Sequence, residues 1–128
     1  MKEIGIGIIG GGYMGKAHAV AMSAVGAVFD TNLRPRLEMV CGSSPETSRK
    51  YCKAYGFRRA ADTWEQLVTD AKVQAVIIAS PQSTHLKIAS KALDLGKPVF
   101  CEKPLGINVE DGKKMVAAAE QSGVVNMI

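Results

Sequence analysis

An α/β fold, with a doubly wound, mainly parallel sheet and helices on both faces, is predicted by three features of the 128-residue sequence. Short β-branched runs alternate with amphipathic stretches along the whole chain, at about 25–30 residues per strand–helix unit, as right-handed crossovers require. A glycine cluster separates the first run from the first amphipathic stretch. Hydrophobic residues make up 47% of the chain, enough for one core at a length typical of single domains.

Ile4–Ile9 is apolar and β-branched, as a buried strand should be. Met14, Ala17, His18, Ala21, Met22 and Val25 then recur at helical spacing, with Gly26 as the expected stop. A loop through Asp30, Asn32 and Pro35 leads to a second strand at Leu37–Cys41. Ser44 before Pro45 reads as an N-cap with proline at the first helical position, the helix running to about Tyr55 and ending at Gly56. Trp64, Leu67, Val68 and Ala71 mark a short third helix opening after Asp62 or Thr63. Val73–Ala79 is the clearest buried strand. A helix over 84–95 ends at Gly96, Val99–Cys101 is a short strand, and Asn108 caps a last helix through Gln121, closed by Gly123. Val124–Ile128 reads as a final strand. Internal repeats and low-complexity linkers are lacking.

Charge and composition narrow the function. Sixteen basic and twelve acidic side chains leave a net charge of +4, but the basic residues are scattered pairs such as Arg34 and Arg36, Arg49-Lys50 and Arg58-Arg59. These read as solvated surface. With 5% aromatics there is no stacking platform for bases, so nucleic acid is not an expected partner. No run approaches the ~20 apolar residues of a membrane span, and Met1-Lys2-Glu3-Ile4 does not open a signal peptide. Cys41, Cys52 and Cys101 are odd in number and widely spaced, which fits a reduced, cytoplasmic compartment. No cluster at ligand spacing suggests a metal.

In doubly wound sheets ligands sit beyond the carboxyl ends of the strands. Gly10, Gly12 and Gly15 form G-x-G-x-x-G after the first strand and at the start of a helix, the context of a Rossmann dinucleotide fingerprint. Gly5, Gly7 and Gly10 match the same spacing, but inside the strand. Gly10 permits the turn, Gly12 admits a pyrophosphate, and Gly15 lets the helix pack close, with Tyr13 and Met14 between them. Gly10–Lys16 also fits the Walker A spacing. Ala17 stands where that motif needs a hydroxyl, and Ser80 rather than an acid ends the strand near 79, so triphosphate hydrolysis is disfavoured. The second strand ends in Cys41-Gly42-Ser43-Ser44 with no carboxylate for a ribose 2′-OH. Gly42, Ser43 and Ser44 are therefore candidate cofactor contacts, and the cofactor is NAD or NADP with a lean to NADP.

Ser80-Pro81-Gln82 with His85, and Glu102-Lys103-Pro104, follow the later strands. With the Gly10–Gly15 turn they make the chain resemble, over its whole length, the N-terminal domain of the Gfo/Idh/MocA oxidoreductases, and more loosely their inositol-dehydrogenase-like branch. The resemblance implies that Lys103 is catalytic, hydrogen-bonding the substrate oxygen that becomes a carbonyl, with Glu102 as its stabilising neighbour. It implies that Ser80, Pro81, Gln82, His85, Glu102 and Lys103 lie along the cofactor. It further implies hydride transfer with a small-molecule sugar, cyclitol or polyol substrate. A second domain would hold that substrate and mediate homo-oligomerisation, and residues 1–128 are expected to be the dinucleotide-binding domain alone. His18 and Cys101 are expected to be structural. The alternative function is a non-catalytic dinucleotide-binding or redox-sensing module, which needs no proton-handling lysine. A short-chain dehydrogenase is disfavoured by the lack of Tyr-x-x-x-Lys.

Overall fold

The computed structural model describes residues 2–127. Strand β1 (Lys2–Ile9) leads to helix α1 (Tyr13–Val28), β2 (Leu33–Cys41), α2 (Pro45–Tyr55), β3 (Arg59–Ala60), α3 (Trp64–Thr69) and β4 (Ala75–Ile78). A single 3₁₀ turn (Gln82–Thr84) precedes α4 (His85–Asp94), β5 (Val99–Cys101), α5 (Val109–Ser122) and β6 (Asn126–Met127). The strands pair in the order β3-β2-β1-β4-β5-β6, all parallel. That is the Rossmann order, and its direction of growth reverses between β1 and β4, where the strand ends leave a crevice.

Both faces of the sheet are covered, which is why its central strands read as continuous apolar runs. Ile6, Ile8, Val40, Phe57 and Ile77 form the core on the side of α1 and α2. Ile9, Met39, Leu67, Ile78, Ile88, Leu93 and Met115 form the larger core under α3, α4 and α5. Gly7 has no room for a side chain: a Cβ there would lie 2.7 Å from both Leu67 and Val73. A Cβ on Gly5 would likewise strike the Lys72 carbonyl, so the two glycines inside β1 are packing features.

Three expectations are corrected. Gly26 does not stop α1, which continues to Val28; the Arg34 guanidinium occupies the space beside it, so the glycine admits β2 rather than ending the helix. β2 starts at Leu33 and includes Pro35, which pairs with Ile4 ahead of the stretch where β3 joins; on that open edge a missing N–H costs no ladder bond. The two-residue β3, too short to carry a periodic signal, was not anticipated.

The basic pairs are not all solvated surface either. Glu38 is 2% exposed and accepts hydrogen bonds from Arg36 Nε at 2.8 Å and Arg59 Nε at 2.9 Å. Arg59 also binds Asp70 in a two-pronged pair at 2.7 Å per bond, tying β2 and β3 to the end of α3. Residue spacing alone does not reveal this network, because its members lie on three different elements.

Candidate active site at the strand ends

Backbone pairing brings four strand ends to a common edge. Gly10 N–H donates to Cys41 O at 2.8 Å, Ala79 N–H to Ile9 O at 2.8 Å, and Glu102 N–H to Ile78 O at 2.9 Å. Every sequence-predicted site residue leaves the sheet from this edge or from the loops just beyond it.

The glycine turn is built as its spacing implies. Gly10 has φ +98°, and a Cβ there would strike the Ala79 carbonyl. A Cβ on Gly15 would collide with the Gly10 carbonyl oxygen, whereas Gly12 has nothing within 4 Å and faces open space. Helix α1 starts with no side-chain cap and no acid in its first turn. By contrast α2, α3 and α5 are capped by Ser44, Thr63 and Asn108, and each carries an acid there. The first amide groups of α1 therefore stay available to an anion, with the helix dipole favouring it. Tyr13 and Met14 are exposed at its mouth. Sequence reasoning missed how the turn is braced. Tyr55 donates its hydroxyl to Gly11 O at 2.7 Å, and the Tyr51 ring fills the space where a side chain on Gly11 would stand. The signal was present in the i, i+4 aromatic spacing on α2.

A pocket of about 420 Å³ opens beside this turn, lined by Gly10, Cys41, Gly42, Ser43, Trp64, Ser80, Pro81 and Thr84. Asp62, from the segment joining β3 to α3, and Glu65, in the first turn of α3, line it as well. Acidic groups thus reach the pocket from a different part of the chain than the end of β2, a placement that only the fold could reveal. Ser43 is exposed, but the Ser44 side chain is committed to its cap, accepting from Thr47 N–H at 3.1 Å. Burial pushes the Cys41 thiol up to about 11.

At the ends of β4 and β5 the two later motifs are joined. His85 is 1% exposed, with Nδ1 2.9 Å from Pro104 O and Nε2 2.9 Å from Ser80 O. It sits beneath the turns and ties one to the other. Ser80 and Thr84 share a hydroxyl hydrogen bond of 2.7 Å, and Gln82 Nε2 donates to Gly106 O at 2.7 Å. Lys103 is exposed, and its peptide bond to Pro104 is cis. His18, expected on the apolar face of α1, does pack edge-on against Phe100, with ring centroids 4.9 Å apart. It also bonds Glu102 Oε1 through Nε2 at 2.8 Å. That hydrogen bond, opposed by partial burial, holds the Glu102 carboxyl below its ordinary range. Cys101 is buried. Among the described residues no three His, Cys, Asp or Glu side chains are grouped to hold a metal ion, and no helix is long and apolar enough to cross a membrane.

This arrangement fits a dinucleotide: free helix amides at an open glycine for the pyrophosphate, a pocket beyond β2 for the adenosine end, and Lys103 toward the other side of the crevice. Comparison with known proteins agrees. Residues 4–128 match the model of the GFO_IDH_MocA oxidoreductase family, described as an NAD-binding Rossmann fold. The levoglucosan dehydrogenase of Pseudarthrobacter phenanthrenivorans is 33% identical over 129 residues, a match covering 100% of this chain and 33% of that protein. The inositol 2-dehydrogenase of Rhizobium meliloti is 32% identical over 104 residues, covering 81% of this chain and 29% of its own. A solved levoglucosan dehydrogenase in complex with NADH and L-sorbose superimposes with a TM-score of 0.96 at 33% identity, over 99% of this chain and 34% of that one. The chain thus spans about a third of the length of the relatives it matches.

Proposed function

The chain belongs to the Gfo/Idh/MocA oxidoreductase family and forms its NAD-binding Rossmann domain, and from that membership we propose that the protein carrying it transfers a hydride between a nicotinamide cofactor and the hydroxyl-bearing carbon of a sugar, cyclitol or related polyol. The observation that carries this reading is the placement of the glycine turn and the Glu102-Lys103-Pro104 turn at one edge of the sheet, on either side of its switch point.

When bound, the nicotinamide accepts or gives the hydride at C4. The amides of the first turn of α1 hold the pyrophosphate, and Ser80 and Pro81 wall the crevice beside it. Lys103 hydrogen-bonds the reacting oxygen. In oxidation the Lys103 amine, in its unprotonated form, would take the hydroxyl proton as the carbon gives up hydride and becomes a carbonyl. A non-catalytic sensor would leave Lys103 without a task. The substrate-holding residues lie outside residues 1–128 in this reading, in a further domain that also carries the homo-oligomer contacts. Three free cysteines, two of them buried, suit a cytoplasmic setting.

The finer choice, NADP over NAD, rests on the end of β2, where no carboxylate opposes a 2′-phosphate and Ser43 is exposed. Asp62 and Glu65 across the pocket act against the added charge, so the expected preference is small, within about tenfold.

The test is a screen of the full-length protein against levoglucosan, inositol and anhydrofructose with each cofactor, alongside calorimetric titration of NADH and NADPH. Binding of either with polyol-dependent turnover that falls at least about a hundredfold in Lys103→Met, at unchanged cofactor affinity, supports the reading. Cofactor binding with near-normal turnover in that variant removes Lys103 from the mechanism. Cofactor binding without turnover favours the sensor.

A further inference from the structure

His18 grips the catalytic turn from outside it. Glu102 is the last residue of the β5 segment held by the sheet, through its N–H to Ile78 O at 2.9 Å, and Lys103 follows directly. Phe100 and Glu102, two residues apart on an extended strand, project to the same face. Across that face lies α1, and His18 on its second turn meets both: its ring packs at 64° against Phe100, and its Nε2 bonds the Glu102 carboxylate at 2.8 Å. The side chains of His18 and Glu102 are only 14% and 17% exposed, so water competes weakly for this bond. The partners are 84 residues apart in sequence, and α1 is the helix whose opening turn forms the phosphate cradle.

We propose that His18 is a positioning residue for Lys103: through Glu102 it locks the Lys103 turn to the helix that holds the pyrophosphate, and so sets the distance between the proton-handling amine and the bound dinucleotide. The proposal rests on the reading of Lys103 given above. It adds a constraint that pairing of β5 with β4 does not supply, because backbone pairing fixes Glu102 N–H but not its carboxylate, and His85 holds the turn only from its far side, at Pro104 O. Held by the imidazole, the carboxylate stays ionised, and its charge is fixed beside Lys103. A misplacement of about 1 Å at a reacting group is enough to cost about a hundredfold in rate.

The test uses the full-length protein and the polyol it turns over fastest in the screen. His18→Met keeps the apolar packing but removes the donor, whereas His18→Gln places an amide N–H near the position of Nε2. We expect His18→Met to lower kcat at least tenfold, with NADH affinity and KM within about threefold of wild type, and His18→Gln to recover kcat to within about threefold. Glu102→Met, which removes the acceptor, should lose kcat comparably. The double variant His18→Met/Glu102→Met should be no worse than the poorer single, since both break one bond. Should His18→Met fail to fold, Glu102→Met and His18→Gln carry the same comparison. Wild-type kcat in His18→Met, an equal loss in His18→Gln, or additive losses in the double variant overturns the proposal. Lys103→Met separates the two levels: its normal turnover overturns both readings, while its loss beside a normal His18→Met overturns only this one.

Discussion

The hydroxyl of Tyr55, in the last turn of α2, donates to the carbonyl oxygen of Gly11 at 2.7 Å across 44 residues of sequence. The bond makes the phosphate turn a supported structure. Its amides can face outward because this carbonyl is satisfied from behind, and the ring of Tyr51, stacked on Tyr55 at 5.5 Å, blocks the turn from collapsing inward. A helix outside the fingerprint therefore takes part in holding its geometry.

From that relationship, Tyr55→Phe should weaken NADH binding several-fold while lowering stability by only about 1 kcal/mol, the usual worth of one hydrogen bond. Calorimetric titration and a denaturant melt read the two effects separately. Unchanged affinity in a variant that is measurably less stable would show that the turn keeps its shape unaided.

The glycines of the turn should separate fold from binding. Gly12 faces open space, so Gly12→Ala should melt within a degree or two of wild type but lose at least tenfold in NADH affinity, because the added methyl stands where the pyrophosphate approaches. Gly15→Ala should lower stability by a few kcal/mol, since its Cβ meets the Gly10 carbonyl, which cannot rotate away. Melting curves and titrations of both variants check the contrast. Equal behaviour would sink the assignment of separate roles.

Acid should release the ion network that ties β2 and β3 to the end of α3. Hydrogen bonds from Arg59, opposed by partial burial, hold Asp70 down to about 2 against an ordinary 3.8. Burial raises Glu38, but the bonds from Arg36 and Arg59 outweigh it and leave the group lowered. Both groups have folded-state values below their unfolded ones, so their contribution is fully present above about pH 5 and is lost as pH falls toward 2. Thermal midpoints measured across that window should fall more steeply for wild type than for Asp70→Asn, which should already be less stable at pH 7. Parallel slopes would show that the pair contributes nothing to folding.

How far the sequence could be read depended on the range of the interaction. The helices at 45–55, 64–69 and 109–122 were legible because their caps, Ser44, Thr63 and Asn108, act on amides two or three residues away. The phosphate turn was legible for the same reason. Gly26 misled, since nothing local announces that Arg34 will lie beside it. β3 escapes notice because two residues have no period, and the His18–Glu102 bond leaves no trace in sequence because its partners are 84 positions apart.

By itself the sequence determined the strand–helix alternation, the glycine cradle and the Lys103 motif, for these are written in neighbouring residues and in backbone stereochemistry. Only the tertiary structure decided what surrounds them. It brings Tyr55 behind Gly11, and Asp62 with Glu65 into the pocket beyond β2. It makes His85 a brace between the Ser80 and Pro104 carbonyls, and joins His18 to Glu102. The physical reason is that a hydrogen bond is specific in space but carries no sequence spacing of its own. Once a parallel sheet sets its strand ends side by side, residues from distant units become neighbours, and their chemistry is settled there.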